Sequence, residues 1–212
     1  MMSDRLNLIK SLIVPADTVA DVGCDHGIVA EYCAKSGVAK QVIASDISEK
    51  SLLKAKQRLE GADNVRFVCC DGIDYECDEA IIAGMGGMLI CDILRSAKRL
   101  PETVVVGAHT DSDKVRHCLT ELGYGIDKDV ALVDRNKFYF IIRAEKSGGQ
   151  RELSELQYLF GVDCEKPSAP LKSRLIGLYS VYMRSPERNA QKISQIKAAL
   201  TLQGVDYTQL PT

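Results

Sequence analysis

Short apolar runs alternate with amphipathic segments over the first 144 residues, and this alternation restricts the fold more than any other feature of the chain. Apolar runs of this length are typical of buried strands, and the segments between them have the length and period of helices. The predicted strands are 18–22, 41–46, 65–69, 79–83 and 103–107, and the predicted helices are 26–36, 49–60, 88–98 and 112–122. Ser48 and Asp111 precede two of these helices as predicted N-caps. Strands joined by helices pair in parallel, so the pattern predicts an α/β fold with helices on both faces of the sheet.

Two further predicted strands, 125–133 and 137–143, follow one another without an intervening helix. They should form an antiparallel hairpin at one edge of the sheet. A seven-stranded sheet with this ending matches the Rossmann-like fold of the S-adenosylmethionine-dependent methyltransferases better than a nicotinamide-binding domain.

The sequence changes character after KSGGQ at 146–150, a composition typical of a flexible joint. Beyond it, apolar residues recur at helical spacing in two stripes, which Ser185-Pro186 separates because proline cannot continue a helix interior. The stripes consist of Leu171, Leu175, Leu178 and Tyr182, and of Ile193, Ile196 and Leu200. We therefore predict a Rossmann-like methyltransferase domain at 1–146 and a C-terminal α-helical hairpin, coiled-coil-like, at 147–212.

The formal net charge of −2 hides an uneven distribution. From Lys146 onward, nine Lys and Arg residues accompany six acids, which gives this part +3 and leaves −5 for the rest. A basic tail on an acidic body favours a polyanionic partner, although an ordinary solvated helix face would have the same composition. The basic residues of the two predicted helices include Lys172, Arg174, Arg184, Arg188 and Lys192.

Composition disfavours two other classes of protein. No stretch approaches the roughly 20 apolar residues of a membrane helix, and the first residues lack the layout of a signal peptide, so we expect a cytoplasmic protein without a membrane partner. The eight cysteines form no C-x-x-C pair and only three histidines are present, so we expect reduced thiols and no metal site.

The turn after the first predicted strand, within ADVGCDHGIVAEY, points to an unusual ligand. A dinucleotide-binding loop needs a second glycine where this chain has Asp25, and a carboxylate there would repel a pyrophosphate. The sulfonium and ammonium of S-adenosylmethionine would instead be favoured by Asp21 and Asp25, while Gly23 and Gly27 let the backbone close over the ligand. The alternative is a tight strand-to-helix turn with Asp25 as the helix N-cap.

Acids also follow the second and third predicted strands. Asp46 lies about twenty residues beyond the loop, where a carboxylate can accept from both ribose hydroxyls, and Asp71-Gly72 could accept from an adenine amino group. Because the carboxyl ends of parallel strands meet at one sheet edge, we expect Asp21, Asp46 and Asp71 to surround one ligand.

The fourth predicted strand ends in AGMGG, at 83–87. Many amino-methylating enzymes carry N/D-P-P-Y here, with an oxygen that accepts a proton from the target amine. This chain has none, which suits a ring nitrogen with a lone pair, such as adenine N1. Gly84, Gly86 and Gly87 would let the backbone approach a flat base, with Met85 as an apolar contact, unless the glycines serve only helix packing.

Several motifs together resemble the bacterial tRNA (adenine-22-N1)-methyltransferases. These are DVGCDHGIVAEY, ASDIS, CDGI, AGMGGMLI and KVRHCLTELGYGI, and the resemblance spans nearly the whole chain. It implies S-adenosylmethionine as the methyl donor, S-adenosylhomocysteine as product, and a tRNA adenine as acceptor, with the basic helices on the tRNA. The donor-site residues that it implies are Asp21, Gly23, His26, Gly27, Asp46, Ile47, Asp71 and Gly72. Catalytic positions implied near the target base are Asp25, His26, Gly84, Met85 and Gly86.

The chain departs from this family after the fifth predicted strand, where Gly107, Ala108 and His109 replace the usual Q-P-N. The departure leaves two alternatives open: a methyltransferase for another RNA site or a small molecule, and a tRNA-binding relative without turnover. His26 could contact the methionine end of the donor or cap the helix. We expect Asp25 to stabilise the positive charge that moves onto the base during transfer, or to accept a proton.

Overall fold

The computed structural model describes residues 3–147, 149 and 152–210, and a seven-stranded sheet forms its centre. The strands are β1 Ala16–Val22, β2 Ala39–Asp46, β3 Val65–Cys69, β4 Glu79–Met85, β5 Thr103–Ala108, β6 Gly125–Asp134 and β7 Lys137–Glu145. Their order is β3-β2-β1-β4-β5-β7-β6; the first five are parallel, and β7 pairs antiparallel with both β5 and β6. The predicted Rossmann-like methyltransferase sheet and its closing hairpin are confirmed.

Helices cover both faces of this sheet. In the described residues they are α1 Asp4–Leu12, α2 Ile28–Ser36, α3 Glu49–Arg58, α4 Gly87–Ser96, α5 Ser112–Glu121, α6 Glu155–Phe160, α7 Ala169–Tyr182 and α8 Ala190–Leu202. Alternate residues of one strand serve opposite cores, because successive side chains point to opposite faces. Val105 packs with the core that includes α1, α2 and α3, whereas Val104 and Val106 pack with the core that includes α4 and α5.

Two helices were not predicted from the sequence. Helix α1 begins where the Ser3 hydroxyl and the Asp4 amide both donate to Asp134, at 2.7 and 3.1 Å, so a residue of β6 fixes its start. Helix α6 has six residues, but it carries a capping box in which Ser154 accepts from the Gln157 amide and Gln157 accepts from the Ser154 amide. The S-x-x-Q pattern could have revealed α6.

The two predicted N-caps have different outcomes. The Ser48 hydroxyl accepts from the Ser51 amide at 3.3 Å, which confirms it as the cap of α3. Asp111 occupies the predicted N-cap position of α5, which confirms the position, but its side chain makes no capping hydrogen bond. Its backbone is left-handed at φ 56°, and its carboxylate accepts from the Thr110 hydroxyl at 2.6 Å instead.

The C-terminal helices share a core with the sheet. Helix α7 ends at Tyr182, before Pro186, and α8 packs against it, as the broken apolar stripes predicted. Leu175 of α7 and Leu200 of α8 are fully buried in the same apolar cluster as α4 and α5. The boundary between 146 and 147 stays a prediction, and residues 148 and 150 of the predicted joint lie outside the described residues.

A buried ion pair joins the sheet to the C-terminal segment. Arg116 of α5 is fully buried, and its Nε and Nη2 donate to the two carboxylate oxygens of Asp129 in β6, at 2.6 and 3.1 Å. Its Nη1 donates to the Tyr158 carbonyl at 2.9 Å, and Asp129 also accepts from the Val162 amide at 3.0 Å. This pair of charges thus anchors helix α6 and the turn after it to the sheet.

Two further expectations from the sequence concerned membrane-spanning helices and the state of the cysteines. Within the described part of the molecule, no helix combines the length and apolar character needed to cross a bilayer. All eight cysteines are free thiols, and five of them, Cys24, Cys33, Cys91, Cys118 and Cys164, are buried.

Candidate active site

Two adjoining cavities open at the carboxyl ends of the parallel strands. The first, called the central cavity, has a volume of about 650 Å³ and is bordered by Asp21, Gly23, Asp25, His26 and Gly84 among the predicted site residues. The second, called the outer cavity, measures about 210 Å³ and is bordered by Gly23, Asp46, Ile47, Asp71, Gly72 and Met85. Gly23 belongs to both. The strand direction therefore gathers most of the predicted residues at one sheet edge, although Gly27 and Gly86 line neither cavity.

The turn after β1 is held against β2 by its backbone. The amides of Gly23 and Cys24 both donate to the Ser45 carbonyl at 2.9 Å, and Gly23 has a φ of 70°. Gly27 is the N-cap of α2, so the alternative that Asp25 caps this helix was wrong. A Cβ at Gly27 would lie 3.0 Å from the Cβ of Ala55 in α3, so this glycine serves close packing and does not border a ligand space.

Asp21 is a buried carboxylate with little compensation. Only 6% of the residue is exposed, and its Oδ2 accepts from the Ala30 amide at 3.0 Å. Burial raises the pKa of Asp21 to about 7 against the lowering effect of that hydrogen bond, and nearby Asp46 raises it further. A carboxylate in this state gains from a cationic partner, because an opposite charge offsets the cost of removing it from water.

Asp46 is fixed by two backbone amides. Its Oδ1 accepts from the Ser48 amide at 2.8 Å, and its Oδ2 accepts from the Asp25 amide at 3.1 Å. Each carboxylate oxygen has two lone pairs, so one acceptor position remains on each. The arrangement suits a ligand with two neighbouring hydroxyl groups.

The outer cavity combines an acid with apolar walls. Ile47 is 69% exposed and Leu89 of α4 is 50% exposed, although both are large apolar side chains bordering this space. Ile93 of α4 lines the cavity as well, and Asp71 lies at the same rim. Such a slot fits a flat ring whose edge carries hydrogen-bond donors. Leu89 and Ile93 were not predicted as site residues, since they lie on a helix that only the fold brings to this edge.

Asp25 lies at the rim of the central cavity, and its carboxylate already contacts a lysine and a histidine. Its Oδ1 is 3.2 Å from Lys54 Nζ of α3, and its Oδ2 is 3.3 Å from His26 Nε2. The Asp25 side chain is 56% exposed, so water screens these contacts. The pairing with Lys54, 29 positions away, was not predicted.

The glycine-rich segment at the end of β4 is divided between the two cavities. Gly84 borders the central cavity, whereas Met85 borders the outer one, with its terminal methyl group 2.6 Å from the position of a Cβ built on Gly23. Gly86 is the N-cap of α4. A Cβ on Gly87 would lie 2.6 Å from the carbonyl oxygens of Thr110 and Asp111, so Gly87 lets α4 begin against the turn after β5.

His109, which stands where the resemblance predicts the last residue of Q-P-N, borders the central cavity. Its amide donates to the Met85 carbonyl at 3.0 Å, and its ring centroid lies 5.7 Å from that of Tyr139. His109 borders the central cavity and also a third cavity of about 740 Å³, called the hairpin groove, which extends to α7. Arg174 of α7 lines this groove, with its guanidinium 5.7 Å from the ring centre of Phe138.

The strand order and the acids at its carboxyl edge define a Rossmann-like methyltransferase. Residues 2–142 match the model of the methyltransferase domain family, and the chain belongs to this family. Among curated relatives, it is 28% identical over 154 residues to the tRNA (adenine(22)-N(1))-methyltransferase of Bacillus subtilis, covering 68% of this chain and 65% of the relative. The resemblance drawn from the motifs is confirmed.

Solved structures give the same result over almost the full chain. The Streptococcus pneumoniae protein Sp1610 in complex with S-adenosyl-L-methionine superposes with a TM-score of 0.84 at 25% identity, covering 94% of this chain and all of that one. The fold is also that of Mycoplasma capricolum TrmK in complex with S-adenosyl-homocysteine, with a TM-score of 0.87 at 21% identity, covering 95% and 99% of the two chains.

Proposed function

We propose that this chain transfers the methyl group of S-adenosylmethionine to N1 of an adenine in tRNA, at position 22 by analogy with its B. subtilis relative. The observation that carries the proposal is the sheet edge where Asp21, Asp46 and Asp71 border two adjoining cavities, together with the glycine-rich segment at the end of β4. This edge belongs to a chain similar over two thirds of its length to a tRNA (adenine(22)-N(1))-methyltransferase. A tRNA substrate implies a cytoplasmic protein.

The two cavities fit the donor in one orientation. The apolar faces of Ile47 and Leu89 would enclose the adenine, with Asp71 accepting from its amino group, and the free acceptor positions of Asp46 would take the ribose hydroxyls. Asp21 would then face the cationic end in the central cavity. The bound donor supplies an electrophilic methyl group, and the S. pneumoniae structure with S-adenosyl-L-methionine supports this choice.

The acceptor would enter over Gly84, beside His109 and Asp25. Gly84, Gly86 and Gly87, at the end of β4 and the start of α4, offer no side chain that could accept a proton, which suits an attacking ring nitrogen with a free lone pair, such as adenine N1. N1 lies on the pairing edge of the base, so the adenine must leave its stack, at a cost of a few kcal/mol. Alignment of N1 with the methyl group then provides most of the catalysis, and Asp25 stabilises the charge arriving on the base.

The C-terminal helices would bind the tRNA, so that residues 1–146 form the donor-binding domain and residues 147–212 form the tRNA-binding domain. The basic residues Lys172, Arg174, Arg184, Arg188 and Lys192 form no ion pair with any residue in the described ranges. Arg174 also lines the hairpin groove, which shares His109, Lys137 and Tyr139 with the central cavity. Basic side chains that are available to bind phosphate groups therefore extend from the C-terminal helices to the central cavity.

The reaction is tested by incubating the protein with labelled donor and total tRNA and mapping the modified nucleotides. We expect label on adenine N1, and we expect Asp25→Ala to slow transfer about 100-fold while S-adenosylhomocysteine affinity stays within about threefold. Asp17→Ala is the matched control, since Asp17 is an exposed carboxylate paired with Lys40 at the opposite sheet edge. Label on another RNA site, or only on small molecules, would favour a methyltransferase with a different acceptor. Donor binding without any transfer would favour a non-catalytic tRNA-binding protein.

The role of the helices is tested with the triple variant Arg174→Gln/Arg184→Gln/Arg188→Gln. At about 0.1 M salt we expect tRNA affinity to fall roughly 10- to 100-fold, with a shallower dependence on salt, because fewer counterions are released on binding. S-adenosylhomocysteine affinity should not change.

The control is Lys35→Gln/Lys40→Gln/Arg99→Gln, which removes the same charge from exposed residues near the amino-terminal edge of the sheet. Equal losses of tRNA affinity in the two triple variants would show that net charge alone matters and would contradict a binding role for the helices.

A further inference from the structure

The hairpin groove is larger than the central and outer cavities, and the proposed reaction assigns no ligand to it. It lies between the turn after β5, the hairpin of β6 and β7, and helices α6 and α7. His109, Lys137 and Tyr139 border both this groove and the central cavity, so the two spaces adjoin. A polymer with one unit in the central cavity can therefore place another unit in the groove.

Part of the groove is acidic. Asp111 and Asp113 both border it, and Asp113 lies 3.8 Å from Lys114 Nζ. The Asp111 Oδ2 accepts from the Thr110 hydroxyl, but its Oδ1 accepts no hydrogen bond and the residue forms no ion pair within the described ranges. A phosphate would be repelled beside this carboxylate, whereas a neutral group with N–H donors would be favoured.

Other residues of the groove present flat surfaces. The exposed Arg174 guanidinium lies over the Phe138 ring, 5.7 Å from its centre, and Phe138 meets Phe140 edge to face with 5.0 Å between the ring centres. Nucleic-acid bases stack on aromatic rings and on guanidinium planes. Exposed Lys137 borders the same groove and suits the phosphate that accompanies a base.

We propose that the hairpin groove binds a second base of the tRNA, a guanine close to the target adenine, with the Asp111 carboxylate accepting from guanine N1–H and the N2 amino group. The inference rests on the proposed function and adds a specificity-determining residue to it. Guanine presents two neighbouring N–H donors on its pairing edge, which match the two oxygens of one carboxylate. Adenine and cytosine present an amino group beside an acceptor, and uracil presents one N–H between two acceptors, so each matches less well.

The charges of the groove favour a nucleotide over other occupants. A basic peptide or a polyamine would be attracted by Asp111 and Asp113 but repelled by Arg174 and Lys137, and a free phosphate would meet the reverse arrangement. A nucleotide combines N–H donors on its base with negative charge on its phosphate. Withdrawal of the target adenine from its stack also exposes the bases next to it, either along the strand or across the helix.

The experiment measures methyl transfer to tRNA transcripts that carry guanine or inosine, one position at a time, at the two strand neighbours of the target adenine and at the nucleotide opposite it. Inosine differs from guanine only by the absence of the N2 amino group. At one of these positions we expect inosine to lower kcat/KM about 5- to 30-fold, mainly through KM, because a hydrogen bond to a charged acceptor is lost. In Asp111→Asn the same two RNAs should differ by less than about twofold, since the two changes remove one interaction.

Asp63→Asn is the matched control. Asp63 is an exposed acid before β3, at the opposite edge of the sheet, and it forms no ion pair with a residue that the structure describes. The preference for guanine should persist in this variant at its wild-type size. Affinity for S-adenosylhomocysteine should be unchanged in both variants, because Asp111 and Asp63 border neither of the two donor cavities.

Three results would overturn the assignment. Equal kcat/KM for guanine and inosine at all three positions would do so in the wild-type protein alone. A preference for guanine that survives in Asp111→Asn would show that another residue reads the base. An equal loss with every RNA in Asp111→Asn would show a general effect on tRNA binding or folding. In each case methylation of adenine N1 by the wild-type protein would leave the proposed function standing, whereas no transfer to any tRNA would overturn both.

Discussion

Asp21→Asn is expected to weaken S-adenosylhomocysteine binding by at least 30-fold and, at pH 7.5, to make the protein more stable. Burial raises the pKa of Asp21 to about 7, so the folded state holds this proton more tightly than the unfolded state. Stability is therefore lost as the pH rises from about 4 towards 7, by an amount on the order of 2–4 kcal/mol at pH 7.5. Asparagine keeps an oxygen for the Ala30 amide and cannot ionise, but it offers no charge to the donor ammonium.

Thermal unfolding and calorimetry at pH 5 and pH 7.5 test this expectation. The stability advantage of Asp21→Asn should be smaller at pH 5, and wild-type affinity for S-adenosylhomocysteine should rise with pH through 7 as the carboxylate ionises. The matched control is Glu79→Gln. Burial raises the pKa of Glu79 to about 7 as well, but Glu79 lies at the opposite sheet edge, where it accepts from the Val14 amide. This control should gain stability in the same pH range and bind the ligand normally. Unchanged affinity of Asp21→Asn for S-adenosylhomocysteine would show that Asp21 does not bind the donor.

Arg116→Met is expected to lower the free energy of unfolding by about 3–5 kcal/mol, measured by urea denaturation. The substitution leaves Asp129 as a buried carboxylate without its cation, and it also removes the donor to the Tyr158 carbonyl. Arg116→Met/Asp129→Asn should be less destabilised than the single variant, because no uncompensated charge remains and asparagine can still accept from the Val162 amide.

The control for this prediction is Arg95→Met. Arg95 of α4 pairs with Glu121 of α5 on the surface, with 2.8 Å between Nη2 and Oε2, so the same substitution removes an ion pair that water already screens. We expect no resolvable change in stability there. A similar loss of stability in Arg116→Met and Arg95→Met would show that burial does not increase the contribution of the Arg116–Asp129 pair to stability.

The sequence predicted the fold well because its signals are local. Apolar runs separated by helical periods marked every strand, and the absence of a helix between β6 and β7 gave the antiparallel ending. Strand direction also predicted that Asp21, Asp46 and Asp71 share one edge of the sheet, where the two cavities lie. Helix α1 was missed because its start is stabilised by Asp134, a residue 131 positions from Ser3.

The site was predicted less completely because its chemistry depends on which side chains find partners. The amino-acid order shows that Asp25 is acidic, but only the packing of α3 brings Lys54 to its carboxylate. It shows an arginine at position 5, but only the fold buries Arg5 Nη1 near Gly84 with no acceptor among the described residues. The role of Gly27 was also decided by the fold. Gly27 belongs to the loop motif, but the close approach of Ala55 explains why a glycine is needed there.

Periodicity and strand polarity thus determined, from the sequence alone, the sheet, most of its covering helices and the acidic edge that borders the two cavities. The tertiary structure alone decided which charges at that edge are compensated, since a side chain's burial and partners are set by segments far away along the chain. Asp21 and Arg5 illustrate this, because both border the central cavity and carry opposite charges. The burial of the Asp21 carboxylate and of Arg5 Nη1 is set by neighbours that no local pattern specifies.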